Sequence, residues 1–138
     1  SRTLSAYRFA KQGKTESMGI KNAHQYQGEE FDTFESFIIN WLSKKNVNEL
    51  DFVFQTQYHY LYDNKGELLV DFVGKVENMK NDIFIVEQKL GKKLSINRSN
   101  QTSSPSCYKD FYTCKAMVDI VSSLYAADIK AFGYEFDS

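Results

Sequence analysis

Two cysteines, one proline and two histidines are spread over 138 residues, and each scarcity removes a class of protein. Cys107 and Cys114 are too few for a secreted disulfide scaffold and lack the CxxC spacing of a structural zinc site. Seven positions apart, they would stand about 10 Å from each other on a helix, too far for an undistorted disulfide, and read as ordinary thiols. His24 and His59 have no sequence neighbour that would make either a general base, and both read as surface side chains. GxxxxGK[ST], GxGxxG, GxSxG and HExxH are all absent, so no complete catalytic or phosphate-cradling motif lies in these residues and no metal is implied. No run approaches the roughly 18 apolar residues of a membrane-crossing helix, and the start lacks the order of a signal peptide.

Charge of one sign is also missing. Seventeen Lys and Arg against eighteen Asp and Glu leave −1, which argues against a nucleic-acid partner. The distribution is uneven: residues 1–25 hold five bases (Arg2, Arg8, Lys11, Lys14, Lys21) and one acid, whereas residues 26–71 hold three bases and nine acids. An anion site is therefore expected in the N-terminal segment. What the chain does have is 42% apolar and 15% aromatic residues, enough for the core of one soluble globular domain or a piece of one. It begins Ser-Arg-Thr-Leu-Ser without methionine, which reads as a cut.

Periodicity predicts a helix from the first residues to about Lys11, on Leu4, Tyr7, Arg8 and Lys11, then a glycine-containing polar loop over 13–29. Phe31, Phe34, Ile38, Trp41 and Leu42 form an apolar stripe at helical spacing, with Asp32 and Glu35 as its capping pair. That stripe reads as a core face, not a sugar platform. Phe52, Phe54, Tyr58, Tyr60 and Tyr62 lie near alternation, predicting a short strand or extended segment. Asp63-Asn64-Lys65-Gly66 then reads as the turn of a hairpin-like pair whose second strand covers 68–75. A helix over 77–90 follows, with Met79, Ile83, Val86 and Leu90 on one face and Gly91 as its stop. Residues 92–106 form a polar loop, and a last helix is clearest over Met117, Ile120, Val121, Leu124 and Tyr125. In the polar loop, Asn97 and Asn100 each begin an N-glycosylation triplet. Lys92, Lys93 and Arg98 in the same loop are candidates for an anion contact.

Three stretches, read in order, carry a family resemblance. SRTLSAYRF looks like the second half of a 3′-phosphate-binding motif with Ser5 at the serine position. LLVDFVGKVENMKNDIFIVEQKLG contains Asp71, Gly74, Lys75, Glu77 and Asn78 ahead of an amphipathic helix. YAADIKAFGYEF contains Tyr125, Asp128, Phe132, Gly133 and Tyr134. Together they resemble the C-terminal part of the carbohydrate-type sulfotransferases, which use 3′-phosphoadenosine-5′-phosphosulfate (PAPS).

The resemblance implies an α/β fold, the C-terminal portion of a P-loop-type three-layer sulfotransferase domain, helix-rich with a few short strands. Residues 1–138 would be one partial domain, with the phosphosulfate loop and catalytic base upstream of Ser1 and this chain inactive alone. It implies sulfuryl transfer from PAPS to a hydroxyl-bearing small molecule or glycan, without a metal. Members of the family work in the Golgi lumen in eukaryotes and in the cytoplasm in bacteria. It gives Ser5 and Arg2 to the cofactor, and Arg8, Lys75 and Arg98 stand as possible anion or substrate contacts. The residues alone leave two other readings: a non-catalytic α/β module stacking sugars on the aromatics of 52–62, and a relative of P-loop kinases, which would need upstream magnesium ligands. Glu77 and Asn78 read as a structural pair that caps the helix or fixes the turn, and not as chemistry.

Overall fold

A computed structural model describes residues 1–13, 16–97 and 107–136. Helix α1 (Arg2–Lys11) buries Thr3, Leu4, Ala6, Tyr7 and Ala10 along one side. Short 3₁₀ turns carry the chain to α2 (Phe34–Ser36), which continues through a π-helical turn (Phe37–Trp41) and a 3₁₀ turn (Leu42–Lys44). The cap of α2 is Thr33, whose Oγ1 accepts the Ser36 N–H at 3.0 Å, in place of the Asp32 and Glu35 pair read from the sequence. Phe31, Phe34, Ile38, Trp41 and Leu42 are all buried, as their spacing suggests, and the wider π turn brings Phe37 into the same core. The Phe37 ring lies 5.1 to 6.0 Å from those of Tyr7, Phe31, Phe34, Trp41 and Phe54.

The rest of the helices are α3 (Tyr58–Leu61), α4 (Met79–Leu90), α5 (Lys115–Leu124) and α6 (Ala126–Phe132). Met117 of α5 and Tyr125 at the α5–α6 break close the core from the C-terminal side. No helix of the described residues is long and apolar enough to cross a membrane.

The three-layer α/β expectation is overturned: the described residues contain helices and no strand or sheet. The segment 52–62 alternates in sequence, but its polar groups are satisfied locally. Thr56 Oγ1 accepts the His59 N–H at 3.2 Å, and Asp128 accepts the N–H groups of Gln57 and Tyr58, so the chain turns into α3. The 63–66 turn does form, with Gly66 N–H on the Asp63 carbonyl at 3.0 Å and Asp63 Oδ1 accepting from Lys65 and Glu67. It closes only one isolated antiparallel bridge, Tyr62 with Leu68, and residues 68–75 run on without a ladder. A strand is stable only when a neighbour takes its N–H and C=O groups along its length; here Leu61 takes the Leu69 N–H at 2.8 Å, and among the described residues the pairing goes no further. Between Thr56 and Met117 no described residue is buried, and Leu69, Val76, Phe84 and Leu90 are each more than half exposed.

Two buried phenols make stability sensitive to alkali. Tyr125 donates to the Phe54 carbonyl at 2.7 Å, and Tyr26 donates to Asp51 Oδ2 at 2.5 Å. Burial raises both above the ordinary value of 10.0; at Tyr26 the hydrogen bond to Asp51 and its charge add to the rise, and at Tyr125 Arg2 opposes it while Asp128 and Tyr112 add to it. An unfolded chain releases these protons near 10 while the folded chain keeps them, so the folded state binds more protons and loses stability as pH rises past that point. Melting temperature should fall from about pH 10 upward, and Tyr125→Phe should make the fall shallower. An unchanged slope in that variant would remove Tyr125 from the explanation.

Candidate functional site

The N-terminal helix turns Ser5 outward, opposite its buried side. Ser5 Oγ makes only a long bond of 3.4 Å to the Ser1 carbonyl. Arg8, one turn on, holds its guanidinium 4.9 Å from the centre of the Phe111 ring. Arg2 reaches away to the Gln55 carbonyl at 2.6 Å. Ser5 and Arg8 thus stand one turn apart on α1, a hydroxyl and a guanidinium that fit a phosphate in kind, while Arg2 is engaged with Gln55. Arg98 lies outside the described residues.

A second group forms around Tyr134. Helix α6 ends at Gly133, whose φ of 62° is the left-handed conformation that glycine adopts without a Cβ penalty. The chain then reverses, and the Tyr134 N–H returns to the Ile129 carbonyl at 3.2 Å. Lys75 Nζ lies 5.2 Å from the centre of the Tyr134 ring. Burial raises the Tyr134 phenol above its ordinary value; the charges of Glu77 and Asp128 add to the shift and Arg2 opposes it. Glu77 also acts on the α-amino group of Ser1, where it opposes the lowering by burial. Glu77 therefore sits within electrostatic reach of both α1 and Tyr134.

Asn78, at the N-cap of α4, bonds no backbone N–H of the helix through its side chain, but it fixes the turn: its amide oxygen accepts from the Asn81 side chain at 2.8 Å and its amide nitrogen donates to Asp82 at 2.7 Å. Asp82 also accepts the Lys75 N–H at 2.7 Å. Gly74 lets the loop lie against Asp82, since an added Cβ would stand 3.3 Å from the Asp82 Cβ. Asp128 is the residue whose structural role sequence reasoning missed. It is buried, and its two oxygens accept the N–H groups of Gln57 at 2.9 Å and Tyr58 at 2.7 Å, 71 and 70 positions away. An acid two residues into a helix carries no signal in sequence that it will hold a remote turn.

Between the 71–75 loop and the end of α6 is a cavity of about 360 Å³. Tyr62, Phe72, Phe132 and Tyr134 give it aromatic walls, and Gln57, Asp71 and Lys75 line it with polar groups. His24 and His59 are exposed, and the thiols of Cys107 and Cys114 are free. The aromatic alternation of 52–62 makes no single platform: Phe54 is fully buried, Tyr58 stacks on Tyr62 at 4.3 Å, and Phe52 and Tyr60 are exposed. Neither a family model, nor a curated protein, nor a solved structure matches the chain.

Proposed function

We propose that this chain supplies the 3′-phosphate-binding and acceptor-facing residues of a PAPS-dependent sulfotransferase whose acceptor is a hydroxyl group, on a glycan by the resemblance. One observation carries the reading. The second and third stretches that resemble the family lie far apart in sequence, yet Lys75 from the one stands 5.2 Å from the centre of the Tyr134 ring of the other. The reading rests on these residues and not on a sheet.

PAPS, when bound, supplies a sulfuryl group whose bond to the 5′-phosphate is broken as the acceptor oxygen attacks sulfur. Ser5 would donate a hydrogen bond from its hydroxyl to a phosphate oxygen of the bound cofactor, and Arg2 and Arg8 raise the positive potential along α1. The general base and the cations at the bridging oxygen are not assigned to residues of this chain, so the chain by itself is expected to be inactive.

The test is titration of the folded chain with adenosine 3′,5′-bisphosphate followed by calorimetry. Ser5→Ala should weaken binding about tenfold, one charge-assisted hydrogen bond, with the melting temperature unchanged because Ser5 is exposed. Absence of binding to the parent chain, or equal binding by the variant, would overturn the reading.

A further inference from the structure

We infer that the cavity between the 71–75 loop and α6 is a subsite for a neutral pyranose ring, held by aromatic walls and oriented by Asp71, Gln57 and Lys75. This deepens the acceptor side of the reading above, and it is tested without nucleotide so that the two can fail separately.

The cavity volume, about 360 Å³, lies at the small end of the range for ligand sites. The walls are the first argument. Phe132 is the hub, its ring centre 6.3 Å from those of both Tyr62 and Tyr134, and Phe72 stands on the loop side, 38% exposed. Flat aromatic faces take the apolar C–H face of a sugar, and amphipathic rings do so at little entropic cost. The polar lining is the second argument. Asp71 is an acceptor, Lys75 a donor, and Gln57 both, the mixed set that a ring of hydroxyls requires.

Charge decides between a neutral and an acidic ring. Asp71 and Lys75 are the charged residues that line the cavity, one of each sign. The Lys75 ammonium already lies near the Tyr134 ring face. A carboxylate or sulfate entering here meets no net positive charge, while a neutral hydroxyl finds both donors and acceptors. Lys75 is thus a substrate contact by hydrogen bonding and not an anion trap.

The experiment is an NMR titration of the labelled chain with methyl β-glucoside, methyl β-galactoside and N-acetylglucosamine, with glucuronic acid as the charged comparison. At least one neutral sugar should give saturable shifts confined to the 71–75 and 131–134 resonances, in the millimolar range, and glucuronic acid should bind about fivefold more weakly or not at all. Raising salt should leave the neutral affinity unchanged. Asp71→Asn and Phe72→Ser, both at exposed positions, should each cost about fivefold while preserving the spectrum elsewhere. No saturation by any of the three neutral sugars, tighter binding of glucuronic acid, or full binding by both variants would overturn the inference. None of those outcomes bears on adenosine 3′,5′-bisphosphate binding, which Ser5→Ala reports.

Discussion

Phe37→Ala should lower the stability of the folded chain by about 4 kcal/mol, the upper part of the range for truncating a core phenylalanine. The side chain is fully buried, and five aromatic rings surround it. Rigid rings on all sides relax poorly, so most of the vacated volume stays as a cavity. A single domain has only about 5–15 kcal/mol of stability, so the variant should melt more than 10 °C lower or fail to accumulate. Phe37→Leu restores most of the volume and should cost about 1–2 kcal/mol. Urea unfolding of the three proteins measures both differences. A loss below about 1 kcal/mol for the alanine variant would show that the π turn does not seal Phe37 into the core.

Asp128→Ala should cost about 3 kcal/mol through a different cause, the loss of a buried charged acceptor for two backbone donors. Among the described residues its oxygens alone accept the Gln57 and Tyr58 N–H groups, so truncation takes that acceptor from both. The same carboxylate joins the 57–58 turn to α6, so the effect should extend to the cavity that Gln57 and Phe132 share. Asp128→Asn retains one acceptor oxygen and should fall between, at about 1–2 kcal/mol. Denaturant unfolding gives the stability loss, and the resonances of 57–62 report whether the turn has been released. Wild-type shifts there in the alanine variant would mean that α3 is held by its own packing.

The apolar stripe of α2 could be read directly because its burial follows from spacing: Phe31, Phe34, Ile38, Trp41 and Leu42 recur at helical intervals and all lie inside. Phe37, three positions after Phe34 and four before Trp41, fits the same interval and was legible there, although the stripe read from the sequence omits it. The strands expected over 52–62 and 68–75 failed for separate reasons. In the first, alternation of aromatics was real, but Thr56 and Asp128 supply caps that favour a helical turn. In the second, β-forming residues were present and a ladder partner was not. Pattern measures what a segment prefers, whereas a strand also requires a neighbour, which pattern does not contain. For the site, Arg2, Ser5, Arg8 and Lys75 could be named from residue type and the resemblance. Their division into residues on α1 and a separate group around Tyr134 depends on contacts across more than fifty positions, such as Arg2 with Gln55.

The uneven placement of buried residues has a consequence for how the molecule opens. Every buried residue among those described lies before residue 57 or after residue 116, while α4 and its flanks carry exposed hydrogen bonds at Asp63, Asp82 and Glu87. Such a segment unfolds as its own unit, at a free energy well below that of the core, because few apolar contacts are lost when it detaches. The backbone amides of α4 then exchange with solvent through local excursions that α1 and α2 never share. The loop carrying Asp71 and Lys75 belongs to the labile unit and α6 to the anchored one. A ligand bridging the two would draw the labile part into the cooperative whole, so occupancy of the cavity and protection of α4 are two readings of one equilibrium.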